Sequence, residues 1–131
     1  MNIDDQKFDE LVDEAWDKIP PDFKEEVGNV GIVIEAEPTA EQLRRMKIKG
    51  LLLGLFEGVP KTAWGQGRSG SIPSKITIFR KPILLVSKDL KDLKITIHVV
   101  LMHEIAHYFG YNDKDLFIMD KKMEDRLSKE D

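Results

Sequence analysis

The sequence predicts an α+β fold in which helices pack on a small sheet, and three observations predict it. Two long stretches, Asp4 to Lys18 and Asp89 to Tyr108, repeat apolar residues every three or four positions. VGIVIEAE and KITIFR are short, β-branched and bounded by prolines or polar residues, as strands are. The element order is helix, strand, short helix, strands, long helix, helix, without the strict strand-helix alternation of a parallel α/β sheet. At 131 residues the chain is read as a single domain, residues 1–131, which buries roughly two-thirds of its unfolded surface.

Taken in order, Phe8, Leu11, Val12, Ala15, Trp16 and Ile19 give the first helix one buried face, and Pro20 and Pro21 stop it. Val30 to Glu37 then forms a strand that Pro38 ends. Thr39 followed by Gln42 is a capping box, opening a short helix through Arg44 and Met46. LLLGLFEGV, from Leu51 to Val59, is a buried strand or a turn, and periodicity does not choose between them. TAWGQGRSGSIPS is loop by composition. Its Gly65, Gly67 and Gly70 spell G-x-G-x-x-G, but no strand feeds it and no helix follows, so it is not read as a nucleotide site. Lys75 to Arg80 alternates as a strand, and Pro82 places that strand near a sheet edge. From Ser87 or Asp89 the helical rows return through Leu90, Leu93, Ile97, Leu101, Ile105 and Tyr108 until Gly110 ends them. Leu116, Met119, Met123 and Leu127 mark a last helix.

Composition narrows the chemistry. With no cysteine there is no disulfide framework, thiol nucleophile or thiolate-bound metal, so any metal must be held by His, Asp or Glu. The acidic, amphipathic N-terminus is unlike a signal peptide, and LLLGLF is far short of a membrane span, which predicts a soluble, cytoplasmic protein with no membrane partner. A net charge of −4 argues against nucleic acid as a partner. Oligomeric state is not legible.

The stretch LMHEIAHYFGYND carries the chemistry. His103 and His107 lie four apart on a helix, so their directions differ by only ~40° and both imidazoles reach one ion. Glu104 lies about 100° from His103, beside the ligand face, where it suits a base acting on water better than a ligand. His98, five residues before His103, points about 140° away and is excluded as a ligand of the same ion. A catalytic zinc needs a third protein ligand and an open position. Gly110 can turn the chain back after the helix, and Asp113 then swings toward the metal, completing H-E-x-x-H-x-x-G-x-x-D. Asp113 equally suits a cap for the next helix, and Asp115 and Glu124 are substitutes as ligand.

Over most of its length, from about Phe8 to Leu127, the chain resembles the small bacterial zincin-like metallopeptidases, or minimal metalloproteases. The likeness rests on the acidic first helix ending in IPPDF, then GIVIEAEP, LLLGLFEGVP, ITIFRKPIL and VVLMHEIAHYFGYND. It implies a compact zincin-like fold with a small mixed sheet over the H-E-x-x-H helix, and a zinc-dependent peptidase. His103, His107 and Asp113 would hold one Zn2+ ion and Glu104 would activate its water for attack on a peptide or protein substrate. Met119 and Met123 sit at core spacing and do not match the methionine turn of larger metzincins. The edge strand, through Ile76, Thr77 and Ile78, is expected to bind an extended peptide by backbone pairing. Tyr108 and Tyr111 are candidate oxyanion donors, with core packing the stronger reading for Tyr108.

Two alternatives stand beside this one. FGYND resembles part of the H-x-x-x-H-x-x-G-Y-x-H motif of bacterial rRNA-maturation endoribonucleases, which lack a counterpart of Glu104; Arg44, Arg45, Lys47 and Lys49 would meet phosphate there, although a solvated helix face is the plainer reading. The other is a metal-stabilised binding module without turnover.

Overall fold

The structure, a computed structural model, describes residues 2–27, 30–46, 51–58 and 74–110. Its first helix, α1 (Asp5–Asp17), starts where the Asp4 carboxylate accepts the Lys7 backbone N–H at 2.7 Å, and it buries Phe8, Leu11, Val12 and Ala15. Pro21 does more than stop this helix. It occupies the first position of α2 (Pro21–Val27), where a missing N–H and a fixed φ are no handicap.

Then β1 (Val30–Glu35) leads to α3 (Ala40–Met46), which the expected capping box opens. Thr39 donates its N–H to Gln42 Oε1 at 2.9 Å, and the Gln42 N–H reaches Thr39 Oγ1 at 3.0 Å. The ambiguous apolar run resolves as a strand, β2 (Gly54–Glu57). It is followed by β3 (Ser74–Phe79), α4 (Arg80–Val86) and α5 (Leu90–Tyr108). The glycine-bearing segment from Thr62 to Pro73 and the helix expected around Leu116 to Leu127 lie outside the described residues. No described helix is long and apolar enough to cross a membrane.

The described strands form one mixed sheet in the order β1-β3-β2, with β1 parallel and β2 antiparallel to β3. Helices beside a small mixed sheet make the fold α+β, as the sequence predicts. One expectation is overturned. β3 is the central strand, with Ile76 facing Ile32 on one side and Phe56 on the other, and Ile78 facing Ile34 and Gly54. Its backbone therefore has no open edge, and Ile76, Thr77 and Ile78 cannot receive a substrate strand. Pro82 misled because the chain has already left the sheet: it sits in the first turn of α4, where it costs no ladder hydrogen bond.

Both faces of β3 are covered. Ile76 and Ile78 join Phe8, Leu11, Ile83, Leu93, Ile97, Leu101 and Ile105 in the main core. Phe79 faces a second cluster with Leu52 and Leu55, against which Leu43 of α3 packs. Helix α5 touches α1, α4, β2 and β3. At the start of α4, Arg80 reaches back to Asp5 of α1 at 3.4 Å, with its guanidinium 5.9 Å from the centre of the Phe8 ring.

Phe8 has no solvent exposure and sits in the core shared by α1, the sheet and α5. Replacing it with alanine should destabilise the fold by about 3–5 kcal/mol, since the removed ring leaves a cavity the backbone cannot fill. Urea unfolding followed by circular dichroism measures this directly, as a lowered midpoint at unchanged slope.

Candidate metal centre

The site is built on α5. Asp89 caps it, accepting the Asp92 N–H at 2.8 Å, while the Asp92 carboxylate accepts the Lys88 N–H at 2.8 Å. Along the helix, Leu93, Ile97, Leu101 and Ile105 recur every fourth residue and enter the main core. This apolar row fixes the helix's rotation, and with it the direction of every polar side chain further along.

His103 and His107 project together, half-buried, with ring centroids 4.9 Å apart and planes at 62°. Two imidazoles bound to one tetrahedral ion at ~2.0–2.1 Å per Zn–N bond place their ring centres about 5 Å apart, the separation this pair has. His98 is buried at 7% exposure, unlike the half-buried pair.

Glu104 is sheltered from solvent. A helix glutamate is most often solvated, whereas Glu104 is only 7% exposed. Strand β2 is what covers it: a Cβ built on Gly54 would lie 3.3 Å from Glu104 Cγ and 2.6 Å from Val100 Cγ1. Further along, Phe56 of β2 meets the Tyr108 ring edge-on at 6.0 Å. Tyr108 also stacks edge-on with Phe109 at 5.3 Å and is 3% exposed, so it packs in the core as the stronger reading had it. Glu104 is thus a sheltered carboxylate adjoining His103, a potential metal ligand, in the sequence.

At its C-terminal end, α5 is closed by the Phe109 N–H on Ala106 O at 3.1 Å and the Gly110 N–H on His107 O at 3.0 Å. Gly110 has φ 91°, the left-handed backbone expected for a residue that turns the chain after the histidines. Among the described residues no three His, Asp or Glu side chains converge on one point, so the two histidines are an incomplete ligand set there. Tyr111, Asp113, Asp115, Met119, Met123 and Glu124 lie outside the described residues, as do Lys47 and Lys49. Of the basic cluster's described members, Arg45 is engaged by Glu57 at 2.9 Å and Arg44 is exposed.

The role of Gly54 went unread in the sequence. The only signal was a glycine inside the apolar run LLLGLF, where a strand weakened by glycine often marks close approach of another backbone or side chain.

The model of the zincin-like metallopeptidase family matches residues 27–122, a span running from the end of α2 past α5. The chain belongs to the zincin-like metallopeptidase family. Among solved structures it is similar to a conserved hypothetical protein from Thermus thermophilus, with a TM-score of 0.54 and 24% identity over 79% of this chain and 91% of that one. At that identity the likeness is one of fold. No curated protein matches the chain.

Because Gly110 holds a positive φ, a side chain there meets its own carbonyl. Gly110→Ala should lower stability by about 1–2 kcal/mol, read as a drop in thermal midpoint, while the helix signal in circular dichroism is retained.

Proposed function

We propose that this protein is a zinc-dependent peptidase in which His103, His107 and Asp113 hold one zinc ion and Glu104 is the general base. The observation that carries this reading is a buried Glu104 on the same helix as two half-buried imidazoles whose ring centres lie 4.9 Å apart. Family membership supports the reaction class. The helix spacing, the turn at Gly110 and the motif support Asp113, although its place lies outside the described residues.

When bound, zinc supplies Lewis acidity, which polarises a scissile carbonyl and makes water easier to deprotonate. The remaining steps belong to the chain. Glu104 takes a proton from the attacking water and passes it to the leaving amine, a relay for which a carboxylate sheltered from bulk solvent is suited. Its position off the line joining the two histidines keeps it available for proton transfer. Strand β2, a terminal strand among the described ones and the strand that lies over Glu104, offers a backbone edge to which an extended substrate can pair. This takes over the role first expected of β3.

The test combines metal content with turnover of a mixed-sequence peptide pool, followed by mass spectrometry. Wild type should take up one zinc per chain and cleave peptides, and His103→Ala should lose both. Glu104→Gln should keep the metal and lose about 10²–10⁴-fold in rate, the usual contribution of a positioned base. Retained hydrolysis in Glu104→Gln removes Glu104 from the mechanism, and a wild-type protein that takes up no zinc removes the whole reading. Asp113→Ala should weaken zinc binding, as measured by competition with a chelator; undiminished affinity would assign the third position to another residue.

A further inference from the structure

We infer that Gly54 is a positioning residue for Glu104: bare backbone at this point lets β2 close onto α5 and holds the stem of the carboxylate beside the histidines. The inference rests on the reading of Glu104 as the general base and adds the residue that fixes where that base stands.

Space, not backbone conformation, demands glycine here. The positive φ angles among the described glycines belong to Gly58 and Gly110, whereas Gly54 lies in a regular strand. A Cβ at position 54 would fall 2.6 Å from Val100 Cγ1, and 3.3 Å from both Glu104 Cγ and the Thr77 carbonyl oxygen. Of these neighbours, Val100 is 7% exposed and β-branched on a helix, so its χ1 has little freedom to yield. Thr77 O is backbone of the central strand, fixed by pairing on both sides. An added methyl group therefore moves β2 away from α5. Glu104 is one helical turn beyond Val100, on the same stripe, and its Cγ is the next atom to lose contact with the strand. The separation of β2 from α5 thus sets both the burial of Glu104 and the gap between the base and the edge strand.

The effect is distinguishable from loss of stability by loading the full chain with Co2+ and recording its visible absorption, alongside chelator competition for Zn2+ and thermal unfolding. Glu104→Gln should shift the cobalt bands by changing the group that faces the open coordination position. Gly54→Ala should shift them too, with zinc affinity retained and peptide cleavage lowered about tenfold or more, as small misplacements of a catalytic group cost. Adding Val100→Ala removes the 2.6 Å obstruction, allows the strand to close again and should return the bands toward wild type. In a Glu104→Gln background, Gly54→Ala should change nothing further. Wild-type cobalt bands in Gly54→Ala with only a lower melting temperature would make Gly54 a packing residue and overturn the inference. A further band shift in the Glu104→Gln background would also overturn it, by showing action through another group. If wild type takes up neither cobalt nor zinc, the metallopeptidase reading itself fails; metal uptake with a silent Gly54→Ala refutes only the positioning role.

Discussion

The contact between α5 and the sheet governs the rest of this structure, because one helix must supply the core and the candidate centre at once. Leu93, Ile97, Leu101 and Ile105 occupy one row of α5 and share a core with Ile76 and Ile78 of the central strand. That row fixes the rotation of the helix to within the freedom of close-packed side chains, which is small. Once rotation is fixed, the 3.6-residue period determines that His103 and His107 emerge together. The orientation of the histidine pair is thus a consequence of core packing several residues away, and α1, with Phe8 in the same core, contacts the same helix.

Glu104 is buried on the same helix. A carboxylate placed under β2 is shielded from bulk solvent, which buried polar groups tolerate when they are partnered. A sheltered carboxylate on the helix that carries two half-buried histidines supports the proposed role of Glu104. The same reasoning separates His98 from its neighbours. It is buried on the same helix, but the helical period sends it away from the pair.

Local signals were legible where a single residue type has a single physical use. The Thr39–Gln42 box, the buried row of α1 and the turn at Gly110 appear where side-chain chemistry and helical spacing put them. Proline was misread because it has two uses. Pro21 and Pro82 both sit in first turns of short helices, α2 and α4, whereas the sequence suggests a helix stop for one and a sheet edge for the other. That error propagated, since an edge position for β3 was deduced from Pro82 and the substrate contact at Ile76, Thr77 and Ile78 was deduced from the edge. The histidine pair depends only on spacing within one helix and could be foreseen. The burial of Glu104 depends on which strand crosses the helix, a tertiary fact that no periodicity contains.

Strand β2 is short, and a four-residue terminal strand lying on a helix needs support from its other face. Helix α3 supplies it. Leu43 packs on the cluster of Leu52, Leu55 and Phe79, directly behind the strand. At the strand's end, Glu57 receives Arg45 at 2.9 Å and Gln42 at 3.4 Å, with Lys75 of β3 at 4.0 Å. An exposed ion pair alone contributes little. Here, however, Gln42 is also half of the capping box that opens α3, so the helix start and the strand end are tied through one side chain. α3 therefore supports the strand that lies on α5, while the bare backbone of Gly54 allows that strand to approach the helix.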